Sequence, residues 1–463
     1  MSNRVVIVGA GPAGASAAIA LARAGIASVL LDDNPQAGGQ IFRPRSDGSA
    51  PPLGHDARGA VLRETLHQHA ALIDHRRGHE VVAVYPGPRL WVAGPEGVYQ
   101  LAAEHLVLAA GAVEIGVPVP GWTLPGVYAL GGLQILAKSA ASVPAGRTVL
   151  AGAGPLLYLV AAQLVSVGVA VSDVVDAAAL PTPGQIAGMA RAPELLLRGF
   201  GFELVLRRRG VAIHRRSAVV EVRGDEAARE AVVAPLGDDW TPRSGARRTI
   251  PLDVLGMSFG LRPNTELTQL AGCEHDHDAA AGGWRVRRGA GYVTSVANVY
   301  AIGDGAGIGG VDTALAEGTI FGRDLAQRLG ATNATLDAEA LEARDRLASF
   351  AAFRRALVDW SGLRPGIFRA ARAETVVCRC EDVRVADLDL ALEAGLALPR
   401  GLKLRTRAGM GLCQGRTCSP AIQQRIAEKA GLSPAEVPMP TVRVPLRPVP
   451  VAALATLAPT AAE

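Results

Sequence analysis

Val5-Val-Ile-Val8 runs straight into Gly9-Ala-Gly11-Pro-Ala-Gly14, and Asp32 follows 23 residues after Gly9. An apolar strand, a glycine turn, a helix and a second strand ending in an acid form a βαβ unit. Few other arrangements satisfy that order, which predicts strands at 4–8 and 29–32 and a helix over 12–24. Gly9 permits the tight turn. Gly11 lets a pyrophosphate reach the backbone where Pro12 and Ala13 open the helix, among free N–H groups and the positive end of the dipole. Gly14 lets the helix lie close on the strand. Asp32, with Asp33 beside it, stands where a carboxylate accepts from ribose hydroxyls. The N-terminal fold is therefore expected to bind a nucleotide.

A second βαβ signal begins at Thr148-Val-Leu-Ala-Gly152 and reads Gly152-Ala-Gly154-Pro-Leu-Leu157. Leu157 stands where the third glycine belongs. It predicts a helix pushed off its strand or a small residue opposite. Val175 occupies the expected acidic position, with Asp173 and Asp176 bracketing it. Gly152 and Gly154 are then candidate contacts for a second nucleotide, NAD-like or ATP, in a fold that keeps its shape even if it holds none. Residues Val149 to Val171 carry no charge over 23 positions, long enough for a membrane span. The glycine turn inside that stretch makes it a buried strand–turn–helix instead. No charged and apolar leader precedes the first strand, so a cytoplasmic location without a transmembrane segment is expected.

At 463 residues the chain has room for about three domains of ~150 residues. Its net charge of +4 is too slight for a nucleic-acid-binding surface. Aromatic residues are 4% while glycines number 54, a mix suited to close helix-on-sheet packing.

The chain has five cysteines, and four fall in two close pairs: Cys378-Arg-Cys380, then Cys413-Gln-Gly-Arg-Thr-Cys418. Paired thiolates on short loops suit an iron–sulfur cluster or a tetrahedral zinc. A nucleotide-type redox fold ahead of them favours the cluster, because zinc carries no electrons. Zinc and disulfides are the alternatives. Glycines at 409 and 411 free backbone N–H groups to bond sulfur. Cys273 stands alone in Cys273-Glu-His275-Asp-His277, a polar loop read as solvated rather than metal-binding. His55, His67, His69, His75 and His79 read as a partly exposed helix and loop. No Cys-x-x-Cys relay lies in the nucleotide folds, and no nucleophile–base pair or carboxylate dyad is evident. No catalytic residue is assigned.

Other runs give short strands at 80–85, 90–93, 105–110, 211–222 and 232–236, and a polar loop over 237–249. They give helices over 184–209 and 334–373. The proline-rich end from Pro438 is expected to be an extended strap.

Leu106-Val-Leu-Ala-Ala110-Gly111 and Val299-Tyr-Ala-Ile-Gly303-Asp304-Gly305 bring in a resemblance. With the first glycine turn, they resemble the two-dinucleotide-binding-domain flavoproteins, which include glutathione- and thioredoxin-reductase-like enzymes. The resemblance implies an α/β fold and FAD. It implies that Asp304 bonds the ribityl chain and that Gly38, Gly39 and Gln40 lie along the flavin, with Arg43, Ala110, Gly111 and Gly303 nearby. The cysteine segment resembles the bacterioferritin-associated-ferredoxin type of small helical [2Fe–2S] domain, with Cys378, Cys380, Cys413 and Cys418 as ligands. Its departure is the second spacing, Cys-x4-Cys. On that basis residues 1–115 and 296–332 form the FAD domain and 116–295 an inserted NAD-type domain. Residues 333–374 form a helical linker, 375–436 the cluster domain and 437–463 the tail.

Pro35-Gln-Ala-Gly-Gly39-Gln-Ile-Phe-Arg43, Pro120-Gly-Trp122-Thr-Leu-Pro125 and Cys413-Gln-Gly-Arg416-Thr-Cys418 extend the resemblance over nearly the whole chain. It is similar to the α-type subunits of heteromeric, dye-linked amino-acid and opine dehydrogenases, of the D-hydroxyproline dehydrogenase, opine oxidase and hydrogen cyanide synthase flavoprotein type. This implies a catalytic β subunit with its own FAD that oxidises a C–N bond, in some members a small ferredoxin-like γ subunit, and in some an FMN between subunits. The competing reading is a self-contained NAD(P)H-dependent reductase feeding a ferredoxin or a quinone.

Overall fold

The computed structural model describes residues 4–44, 57–139, 142, 144–279 and 283–457. His55 and the end of the tail lie outside them. Val5–Val8 is the middle of a five-stranded parallel sheet, in the order Val299–Ala301, His105–Leu108, Val5–Val8, Ser28–Asp32, Ile73–Arg77. A parallel sheet buried on both faces needs continuous apolar strands. Val5 and Ile7 face the helices, while Val6 and Val8 face an antiparallel meander of Glu80–Tyr85, Arg89–Gly94 and Gly97–Ala102. The helix Pro12–Arg23 follows the first strand as the glycine spacing predicts.

The second sheet is also parallel, in the order Ala212–His214, Val171–Asp176, Thr148–Gly152, Val254–Ser258, Val127–Ala129. A three-stranded antiparallel insert, Ser217–Arg223, Glu230–Pro235 and Arg248–Pro251, packs beside it. The long helix Ala334–Ser361 ties the two folds together. At its start Arg23 pairs with Glu339 at 2.6 Å. At its end the Trp360 indole donates to the Ala179 carbonyl at 2.7 Å.

Several local expectations need correction. Ile73–Arg77 is a strand, not a loop, and carries His75. Burial pushes the His75 imidazole down to about 4. His275 and His277 are not simply solvated: they lie on a hairpin strand, where His275 bonds the Thr268 hydroxyl at 2.8 Å and His277 packs edge-on to Trp284. The expected strand 211–222 is two strands, broken at Arg216, whose φ is +49°. The helical stretch 184–209 is Pro183–Met189 and Pro193–Arg208, the second restarting at a proline that cannot continue a helix. The helix from Ala334 stops at Ser361 because Gly362 is extended, and Pro365 opens a separate turn. The tail is extended up to a short helix, Val451–Leu454. Its Leu446 is buried, and the Leu446 N–H donates to the Val82 carbonyl at 2.8 Å.

Helix Pro12–Arg23 packs against Gly310–Arg328 at backbone distance. A Cβ on Gly318 would sit 2.3 Å from the Ala13 carbonyl oxygen, and one on Gly322 would sit 2.5 Å from the Ala20 Cβ. Gly318→Val is expected to destabilise by ~1–3 kcal/mol or more through overpacking. Gly199, in an exposed helix with open space around it, gives the contrast. Gly199→Ala should stabilise by roughly 0.5–1 kcal/mol. Denaturant unfolding of the two variants checks both signs.

Candidate functional site

A large cleft of about 1280 Å³ runs from the N-terminal glycine turn across to the second fold. Gly9, Gly11, Pro12, Ala13, Asp32, Asp33, Gly39, Gln40, Ala110, Gly111, Gly303 and Asp304 line it. Strand ends and a helix N-terminus converge there, with Gly9, Gly111 and Gly303 in the loops that follow three of the strands. Gly9 has φ +102°, and a Cβ on it would lie 2.4 Å from the Ala109 carbonyl oxygen. Gly14 is closer still, 1.9 Å from the Gly9 oxygen. Its role is packing rather than lining.

The two adjacent acids do different jobs. Asp32 is buried, and its carboxylate accepts from the Ala10 N–H at 2.5 Å and from the Asn34 N–H at 2.7 Å. It holds the glycine turn closed while also lining the cleft. Asp33 is exposed toward the cleft. Partial desolvation at the cleft wall and the neighbouring Asp32 charge raise its carboxyl above the usual range. Arg43 lies outside the lining and donates to the Asn34 side chain at 2.5 Å. Asp304 accepts from the Gly309 and Gly310 N–H groups at 2.8 and 2.9 Å through one oxygen, Oδ1. Glu114 was not evident from sequence. It lines the cleft, accepts from the Gly131 N–H at 3.1 Å and is pushed up by burial.

The second turn is built differently. Leu157 is fully buried among Leu130, Leu133 and Leu150. Elsewhere in the same cluster Gly256 leaves room for Leu133 and Leu150, which a Cβ there would meet at 2.7 and 2.8 Å. Gly152 pairs with Asp176 rather than Val175, because the strand register shifts at Thr148 and Val149. The acidic position is therefore occupied after all, but it is spent. Asp176 is wholly buried, accepts from the Tyr158 hydroxyl at 2.7 Å and the Ala178 N–H at 2.9 Å, and meets Arg215 at 3.4 Å. Burial raises its carboxyl to about 6. Arg215, from the neighbouring strand's end, also pairs with Glu203 at 2.6 Å. Neither Gly152 nor Gly154 lines the cleft, whereas Tyr158, Glu203 and Arg215 do.

The four clustered cysteines come together beyond the rim. All are free thiols, with Cys378 and Cys418 buried. Cys378 bonds Cys418, and Cys380 bonds Cys413. The Cys418 partner and the N–H groups of Gly409, Glu381 and Cys380 hold the Cys378 thiol down at about 5, while Cys378 and burial push Cys418 up. The Gly409 N–H reaches the Cys378 sulfur at 3.4 Å. Gly411 has no room for a side chain, its Cβ position lying 2.2 Å from the Cys380 Cβ. Among the described residues no three His, Cys, Asp or Glu side chains gather where one metal ion could sit. Cys273 is remote and donates to the Thr294 hydroxyl at 3.4 Å.

Arg416, between Cys413 and Cys418, reaches back into the cleft lining, where it pairs with Glu266. Among the described residues no helix is long and apolar enough to cross a membrane.

The pyridine nucleotide-disulphide oxidoreductase family matches residues 3–318, and the sarcosine oxidase A3 domain matches 372–457. The HcnB component of hydrogen cyanide synthase from Pseudomonas aeruginosa is 37% identical over 99% of both chains. The corresponding opine oxidase component from Agrobacterium tumefaciens is 33% identical over 99% of this chain and 92% of its own. The L-proline dehydrogenase structure from P. horikoshii shares the fold, with a TM-score of 0.69 at 17% identity, over 98% of this chain and 80% of that one. The cleft geometry and these likenesses agree. This chain is an oxidoreductase belonging to the pyridine nucleotide-disulphide oxidoreductase family, in the group of heteromeric-enzyme subunits that contains HcnB and its opine oxidase counterpart.

Proposed function

We propose that this chain is the electron-transferring subunit of a heteromeric dehydrogenase that oxidises the C–N bond of an amino acid or opine. A partner β subunit with its own FAD would supply electrons, and a small ferredoxin-like γ subunit or an interface FMN would extend the chain of carriers. D-hydroxyproline, proline and opines are the substrate classes this reading admits. The observation that carries it is Arg416: the loop holding Cys413 and Cys418 also forms part of the wall shared with Gly9 and Asp304.

The residues fit FAD. Free N–H groups at the start of helix Pro12–Arg23 suit a pyrophosphate, and Asp33 has a carboxylate facing the cleft for ribose. Asp304 keeps one carboxylate oxygen beyond its two backbone bonds for a ribityl hydroxyl. The residues also fit a [2Fe–2S] cluster at Cys378, Cys380, Cys413 and Cys418. Two thiol pairs divide as a two-iron cluster requires, whereas a single zinc wants four donors on one point. When bound, these groups supply two-electron and one-electron chemistry respectively. The protein's part is to hold them at neighbouring positions and to exclude water. Glu114, with its raised affinity for a proton, can hold one beside Gly131 at the cleft wall. With the Asp176 carboxylate taken up by Tyr158, the Ala178 N–H and Arg215, it is not free for a ribose, which argues that NADH is not the donor.

Four outcomes are expected. Anaerobic NADH added to the purified chain should leave its visible absorption unchanged, while dithionite bleaches it; stoichiometric bleaching by NADH would make the protein a self-contained reductase. Asp33→Ala should lower FAD retention at least tenfold in a flavin-release assay. Asp32→Ala should instead cost roughly 1–3 kcal/mol of stability by stranding buried N–H donors. Cys413→Ser should abolish iron and acid-labile sulfide, and Cys273→Ser should leave both intact; equal loss in the two would remove the cluster from this site.

A further inference from the structure

Two arginines meet at the junction between the cleft and the cysteine loop. Arg262 sits on strand Leu261–Pro263, which pairs with Ala112–Glu114 immediately after Gly111. Its guanidinium donates to the Arg416 carbonyl at 2.9 Å. Arg416 in turn donates to the Cys413 carbonyl at 3.3 Å and pairs with Glu266. Next door, the Thr417 methyl lies 3.6 Å from the Cβ position of Gly116. The charged or ionisable groups around Arg262 are Glu266, Arg416, Cys418 and Cys413.

This junction has two features that packing alone does not explain. One is charge: Arg262, Arg416 and Arg447 face two carboxylates, Glu266 and Glu80, leaving an excess positive charge in a largely shielded place. The other is orphaned donors. The Nε of Arg262 and the Nε of Arg416 are both shut off from solvent and have no acceptor. A buried N–H without a partner costs about 1–3 kcal/mol, so two of them at one junction call for an acceptor or a compensating negative charge. The adjoining cysteine site supplies that charge. Four thiolates around two irons and two sulfides carry net negative charge, which grows by one unit on reduction.

Resting on the cluster reading above, we infer that Arg262 and Arg416 are positioning residues that raise the reduction potential of the cysteine-bound cluster and so draw electrons across the cleft wall. The step they bias is simple. One electron is added to the oxidised cluster, from the reduced flavin in the enzyme or from dithionite in a titration, and no bond is made or broken. A fixed positive charge stabilises the reduced, more negative form over the oxidised one. The charge is fixed because arginine stays protonated at any working pH. Glu266 acts in the opposite sense, moderating the effect.

The test is a potentiometric titration of the full chain, following the cluster by its reduced-state EPR signal and the flavin by absorption. Arg262→Gln should keep its iron and sulfide while the cluster's affinity for the electron falls about tenfold, which is ~59 mV to lower potential for one electron. Arg262→Lys should stay near the wild-type potential, and Glu266→Gln should shift it upward. Opposite signs for the two charge removals are what a purely structural role would not produce. If Arg262→Gln keeps an intact cluster at the wild-type potential, or if both removals shift it the same way, the inference fails while the cluster reading stands. If wild-type protein made under iron-replete, anaerobic conditions has no iron and no EPR signal, the cluster reading fails and this inference falls with it. Should Arg262→Gln not fold, the sign and size of the Glu266→Gln shift decide the matter.

Discussion

A carbonyl oxygen of Ala109 lies 2.4 Å from where a side chain on Gly9 would begin. Everything that defines the cleft depends on that contact being between backbones. Only with a bare Cα at Gly9 can the ends of the first strand and of His105–Leu108 close together. Gly305 repeats the arrangement on the far side, its Cβ position 3.1 Å from the Gly111 N–H. Three strands thus end at nearly the same point, and their loops fan out to make one wall. The turn is then locked by the Asp32 carboxylate, whose hydrogen bonds would be lost to any apolar substitute. A side chain at Gly9 would not merely crowd a nucleotide. It would part the strands that carry Asp33 and Asp304.

The architecture was legible where it depends on local rules. A glycine spacing with an acid at its end specifies a turn, a helix and a neighbouring strand within a few dozen residues, and those stand where the sequence puts them. What escaped were decisions made between distant segments. Asp32 and Asp33 are equivalent in sequence; only the pleat of Ser28–Asp32 tells which one turns inward. Counting placed the second acid at Val175, but a register shift moved the position to Asp176, and Tyr158 then consumed it. Arg215, just past a short strand, and Arg262, on one, come from segments that no motif flags. Glu114 and Arg416 reach the cleft from segments far apart in the chain.

The cysteine segment is not an appendage. Its first strand accepts the Trp122 indole N–H at 2.6 Å through the Val376 carbonyl. Arg379 lies over the Trp122 ring at 5.6 Å, and Arg372 pairs with Glu221 of the antiparallel insert at 2.8 Å. The tail then crosses back to the first fold, where Arg447 meets Glu80 at 2.7 Å. Individually such surface pairs contribute little. Together with buried Leu446 and Arg416 they fix the segment against both folds, so the distance between the cleft and the thiols is set by several elements at once.

The sheet order has a consequence for synthesis. His105–Leu108 pairs on one side with Val5–Val8 and on the other with Val299–Ala301. The second of these neighbours is encoded after the whole of the other fold. At about 5–20 residues per second, the ribosome leaves that edge bare for roughly 10–40 s. Leu106-Val-Leu108 is a fully apolar, unpaired strand edge during that time, which is the template other chains add to. Slow translation through residues 109–298 would lengthen the exposure without altering one contact in the finished protein. Yield in a foreign host should therefore be governed by elongation rate and chaperone supply as much as by stability.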